Sequence, residues 1–143
     1  MIKKKSTDEL NRLLSHTPIK QYLNENDASF NKKTLPQMLE AVLKSNGISQ
    51  VNAIKAANLE RTFGYQIFKG IKKPSRDTLL RICIGMKAST AQTRALLLKI
   101  KAAPLYSKDK RDSVILFGFL HHLNLQEIDE LLYNNKLPVL SKI

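Results

Sequence analysis

The side chains able to do chemistry in this 143-residue chain are mostly cations and amides. Between residues 48 and 81 stand seven basic residues, Lys55, Arg61, Lys69, Lys72, Lys73, Arg76 and Arg81. Only Glu60 and Asp77 oppose them, which leaves a local net charge of +5. Contact with a phosphate backbone needs such an excess, because each neutralised phosphate releases condensed counterions. Other reactive types are sparse. His16, His121 and His122 are the only histidines. Adjacent residues on a helix point about 100° apart, and the i, i+4 spacing of a helical metal pair is absent. The one cysteine, Cys83, permits no intrachain disulfide and no zinc site of ordinary spacing. It falls on an apolar helix face, so it reads as a small buried hydrophobe. The sequence has no Walker loop, no dinucleotide fingerprint and no nucleophile beside an arranged base. The expectation is a protein with no catalytic residue, no metal and no cofactor.

The whole chain repeats the local bias. It carries 24 Lys+Arg against 12 Asp+Glu, a net charge of +12, with a pI near 9.9. A protein this basic usually meets a polyanion, most often nucleic acid. With 43% hydrophobic residues it can bury a core, and its length suits one domain or one domain with an appendage. Its longest apolar run, Val114 to Leu120, is far short of the ~20 residues that span a bilayer. The start, MIKKKSTDEL, has a positive cluster with no apolar segment behind it, so no secretory signal is expected. A cytoplasmic location and no membrane partner follow as expectations.

The elements that must position the basic cluster are helical throughout. Ser6 to Glu9 and Thr17-Pro18 open two short helices in a basic N-terminal arm, residues 1–33, which ends in the polar linker Asn24 to Lys33. Thr34 to Gln37 is another capping box. Leu35, Met38, Leu39, Val42 and Leu43 follow as an amphipathic stripe that Gly47 terminates. Ser49 caps a helix over 50–57. Asn58, which tolerates the left-handed conformation, breaks it, and Leu59 plugs the turn before a helix over 60–69. Gly64 in mid-helix costs roughly 1 kcal/mol, so it predicts close approach by another helix or by a nucleic-acid backbone. Gly70 to Pro74 is a basic turn. Ser75 and Ser89 cap two further helices, and Pro104 stops the second. A helix from Ser107 through VILFGFL is apolar almost all round and predicts a central position in the bundle. Asn124 to Glu127 caps a last helix, with Glu127, Asp129 and Glu130 on its outer side.

The stretch Ile48 to Cys83 resembles the phage-repressor/Cro-type, or XRE-type, helix-turn-helix family. The resemblance rests on Ser49-Gln50, Asn58-Leu59, Glu60 to Lys69, Gly70, Lys72-Lys73-Pro74-Ser75 and Thr78 to Ile82, and covers residues 35–100. It implies an all-α, repressor-like bundle over residues 34–103, with helical segments on both sides, 1–33 and 104–143. The departures are Ile54 where a small residue is usual, Asn58 for Gly, and Gly64 and Phe68 at positions usually aliphatic and acidic.

The resemblance also implies roles. Arg61, Thr62 and Gln66 match the base-reading face of the recognition helix. Arginine can bond guanine bidentately, glutamine can bond adenine, and a threonine methyl can meet that of thymine. Phe63 and Tyr65 would add apolar or phosphate contact. Gln50 matches a phosphate-binding position at a helix start. Lys69, Lys72, Lys73 and Arg76 would clamp the backbone. The expected partner is double-stranded DNA, bound as a homodimer because two-fold operators match two-fold proteins. The flanking segments would supply the dimer surface. A rival expectation is a protein-interaction module, such as an antitoxin or phage adaptor, which would work through the same segments. A third is nucleic-acid binding without sequence preference.

Overall fold

A computed structural model describes residues 33–141. The chain divides into two compact units, Met1–Lys33 and Thr34–Ile143, and the description concerns the second. The helical arm expected over 1–33 lies outside the described residues. Those described form seven helices and no strand, so the fold is all-α. The helices are α1 (Leu35–Asn46), α2 (Gln50–Ala56), α3 (Arg61–Phe68), α4 (Arg76–Gly85), α5 (Thr90–Lys99), α6 (Lys110–Leu120) and α7 (Leu125–Asn134).

Each helix begins where a side chain satisfies its free N–H groups. Thr34, Ser89 and Asn124 close capping boxes with Gln37, Gln92 and Glu127. Ser49, Ser75 and Asp109 cap α2, α4 and α6. Helix α4 is the hub. Its Leu79, Leu80, Ile82 and Cys83 are fully buried, and it packs against α2, α5 and α7. Helix α1 packs on α3 and α5, with Leu39, Val42 and Leu43 turned inward.

The C-terminal pair α6 and α7 packs against α5 and α4, and two reciprocal ion pairs fasten it. Arg76 and Asp77 open α4; Arg111 and Asp112 open α6. Arg76 forks onto Asp112 at 2.9 and 3.2 Å, and Arg111 forks onto Asp77 at 2.9 and 3.0 Å. Asp112 is buried and also accepts the Tyr106 N–H, so its carboxylate is well provided with donors. Arg111 reaches on to the carbonyls of Pro138 and Val139 and holds the chain end down.

The structure corrects the expectation that α6 is central. Ile115 and Gly118 face the core, whereas Phe117 is 48% and Leu120 67% exposed. Helix α7 covers one side of α6, and no described element covers the face that carries Phe117 and Leu120. It starts at Lys110 rather than Ser107, because Asp109 is its cap. Asp129, expected on the outer side of α7, is half-buried and accepts the Leu140 and Ser141 N–H groups.

Candidate nucleic-acid interface

Helices α2 and α3 and the turn after α3 carry the sequence-predicted residues except Arg76, which opens α4. The connection between the two helices is short and tied down. Asn58 is left-handed at φ 53°, and Leu59 closes back onto the Ile54 carbonyl at 3.2 Å. Arg81, from α4, donates to the carbonyls of Ala57 and Asn58 at 3.0 and 2.6 Å. Arg81 therefore clips this connection in place.

Helix α3 has two distinct sides. Gly64, Ile67 and Phe68 are buried, and Phe63 is half-buried against the core. Phe63 thus contributes mainly to packing. Gly64 is a packing contact too. A Cβ built there would lie 2.6 Å from Ile54 Cγ2 of α2, so another helix makes the close approach that the glycine predicted. Ile54 fills the space that a side chain at position 64 would take, so the two residues share one volume across the α2–α3 contact. Phe68 is likewise explained, since it fills the core.

The outer side of α3 presents Arg61, Thr62 and Lys69 exposed, with Tyr65 and Gln66 half-buried between them. The Arg61 guanidinium lies 5.8 Å from the Tyr65 ring centroid, a cation–π contact that orients both side chains. Glu60 stands outside the helix as its cap and accepts the Thr62 and Phe63 N–H groups at 3.0 and 2.8 Å. The bonds from Phe63 and then Thr62 hold its carboxyl below its ordinary value. The start of α3 therefore carries its own anion, and the exposed cations of this face, Arg61 apart, lie further along.

Those side chains cluster in the turn. Gly70, at φ 81°, turns the chain, and Ile71 and Lys72 donate to the Gln66 carbonyl. Lys69, Lys72 and Lys73 are exposed, and buried Pro74 anchors the far end. Ile71 between them is 66% exposed, an apolar side chain in the middle of the cations that sequence reasoning missed. No local sequence pattern distinguishes this exposed Ile71 from the buried Pro74 of the same turn. Gln50, half-buried, begins α2. That helix has only seven residues, so its dipole adds little.

Arg76 departs from expectation. Besides Asp112, its guanidinium donates to the carbonyls of Ala103 and Pro104. Four of its hydrogen bonds are internal, so it braces α4 against α6 rather than standing free as a backbone clamp. Lys55, Arg61, Lys69, Lys72 and Lys73 remain exposed, with no ion pair among the described residues. Glu60 is the one acid beside them in this stretch that is not paired with an arginine.

The fold and this surface define an all-helical protein with a cationic helix-and-turn face. No protein-family model matches the chain, and no curated protein or solved structure shows significant similarity to it.

Proposed function

We propose that this chain is a sequence-specific double-stranded DNA-binding regulator of transcription, with α2 and α3 as a helix-turn-helix and α3 entering the major groove. The observation that carries the proposal is the two-sidedness of α3. Its inner side is locked by Gly64 on Ile54 and by buried Ile67 and Phe68, while its outer side offers Arg61, Thr62 and Gln66. Lys69, Lys72 and Lys73 follow without internal partners among the described residues. Rigid presentation of one arginine and one carboxamide suits base-edge reading, and flanking lysines suit phosphate positioning. The role is binding, without catalysis.

The regulator acts as a homodimer, with the exposed Phe117 and Leu120 of α6 at the subunit contact. The same apolar face is what favours the second reading, a module that binds another protein and uses DNA contact secondarily.

Binding-site selection on random duplex DNA, with the mass of the complex measured in parallel, tests the proposal. The expected result is one two-fold-symmetric site occupied by two chains. Equal recovery of all sequences, with affinity falling with salt alike for each, would leave only nonspecific binding.

A further inference from the structure

The C-terminal ends of α2, α4 and α6, with the turn into α7, line a partly open cavity of about 350 Å³. Its wall is apolar, formed chiefly by Ile84, Ala88, Phe119 and Leu123. Its rim carries Lys87, His122 and Asn124. We propose that this cavity binds a small apolar carboxylate, its hydrocarbon against the wall and its anionic head between Lys87 and His122.

The polar groups at the rim decide the ligand's chemistry. Apart from the Leu125 N–H, the backbone donors there are already used. The N–H groups of Lys87 and Ala88 bond the carbonyls of Ile84 and Cys83, and those of His122 and Leu123 bond Phe119 and Gly118. Recognition therefore falls to the Leu125 N–H and to side chains, and these are donors or cations. Lys87 and His122 are both exposed, and neither pairs with a carboxylate among the described residues. Asn124 spends its carbonyl oxygen on the Glu127 N–H, which leaves its amide hydrogens as donors. The Leu125 N–H, first in α7, finds no acceptor among the described residues. Every such group favours an anion.

The wall decides the rest. Apolar lining does not reward an inorganic ion or a sugar phosphate, whose polar surface would lose water without compensation. The volume is at the lower end for ligand pockets, which fits a molecule of roughly eight to fifteen non-hydrogen atoms. The cavity lies on elements other than α3 and the basic turn, so its occupancy can be read whether or not the chain binds DNA.

The test is an NMR titration of the ¹⁵N-labelled full chain with octanoate and indole-3-acetate, each beside its neutral alcohol. The expected result is saturable shifts confined to the amides of 84–88 and 118–125 for at least one acid, with the acid binding about fivefold or more tighter than its alcohol. Lys87→Gln and His122→Gln, both at exposed positions, should each erode that preference, and Ala56→Phe at the cavity wall should weaken acid and alcohol together. No saturable shift with either acid up to ~10 mM overturns the proposal. So does equal affinity of acid and alcohol, or a preference that survives both rim substitutions.

Discussion

Gly64 of α3 rests against Ile54 of α2 so closely that a Cβ on the glycine would stand 2.6 Å from the isoleucine Cγ2 and 2.9 Å from its Cγ1. The contact sets how α3 leaves the body of the protein, and hence where Arg61 and Gln66 point. Gly64→Ala gains roughly 1 kcal/mol in helix propensity but must push Ile54 aside. Overpacking of this kind costs about 1–3 kcal/mol, so a net loss of stability is expected. Ile54→Ala alone should also destabilise, by about 2–4 kcal/mol, through the cavity it leaves. The double variant should lose less than the sum of the singles. Urea denaturation of all four proteins measures the coupling, and simple additivity would mean that the two residues do not share this space.

The reciprocal Arg76–Asp112 and Arg111–Asp77 pairs separate bracing from DNA contact. Arg76→Ala leaves the buried Asp112 carboxylate without its main partner and should cost about 2–4 kcal/mol. Lys72→Gln and Lys73→Gln should change stability little. In DNA-binding assays the order reverses. Each lysine substitution should lower the slope of log affinity against log salt by about 0.9, whereas Arg76→Ala, measured where it is folded, should leave that slope unchanged.

That contrast shows how far the sequence could be read. Most helix starts were legible because capping is local: Ser49 reaches Asn52, Ser89 reaches Gln92 and Asn124 reaches Glu127, each within three residues; the start of α6 was not, since its cap is Asp109 rather than Ser107. The outward positions of Arg61, Thr62 and Lys69 were legible from helical period and burial of their neighbours. Arg76 was not. Its partner is 36 residues away, and nothing in a local pattern distinguishes an arginine that braces from one left free. Helix α6 was misplaced for a related reason. Apolar residues all round a helix do not reveal whether another element covers its second side, and no described element covers Phe117 and Leu120.

Glu60 makes stability pH-dependent in a defined direction. Its carboxyl is depressed below the ordinary value of 4.5, chiefly by the Phe63 N–H and then by that of Thr62. A depressed folded-state pKa gives stabilisation that is full above the ordinary value and is lost as pH falls through the folded value. Acidification should therefore fray the first turn of α3. Faster hydrogen exchange at Thr62 and Phe63 in acid, corrected for intrinsic rate and relative to Glu60→Gln, checks this. An identical pH profile in the substituted protein would contradict it.

Cys83 is fully buried, and burial pushes its thiol up to about 12. The thiolate is the reactive form, so the native protein should resist a disulfide-exchange reagent at pH 8 and react promptly only in denaturant. Rapid modification under native conditions would show that this part of α4 opens.

In the proposed regulator Arg61 and Gln66 read bases from a fixed α3. The most direct measurement compares the native chain with Arg61→Ala/Gln66→Ala, by fluorescence anisotropy, on the best selected site and on random duplex near 0.15 M salt. The native chain should prefer the selected site by about 10³-fold or more. The double variant should keep its fold and its affinity for random duplex while losing most of that preference. A double variant that discriminates as well as the native chain would contradict the claim.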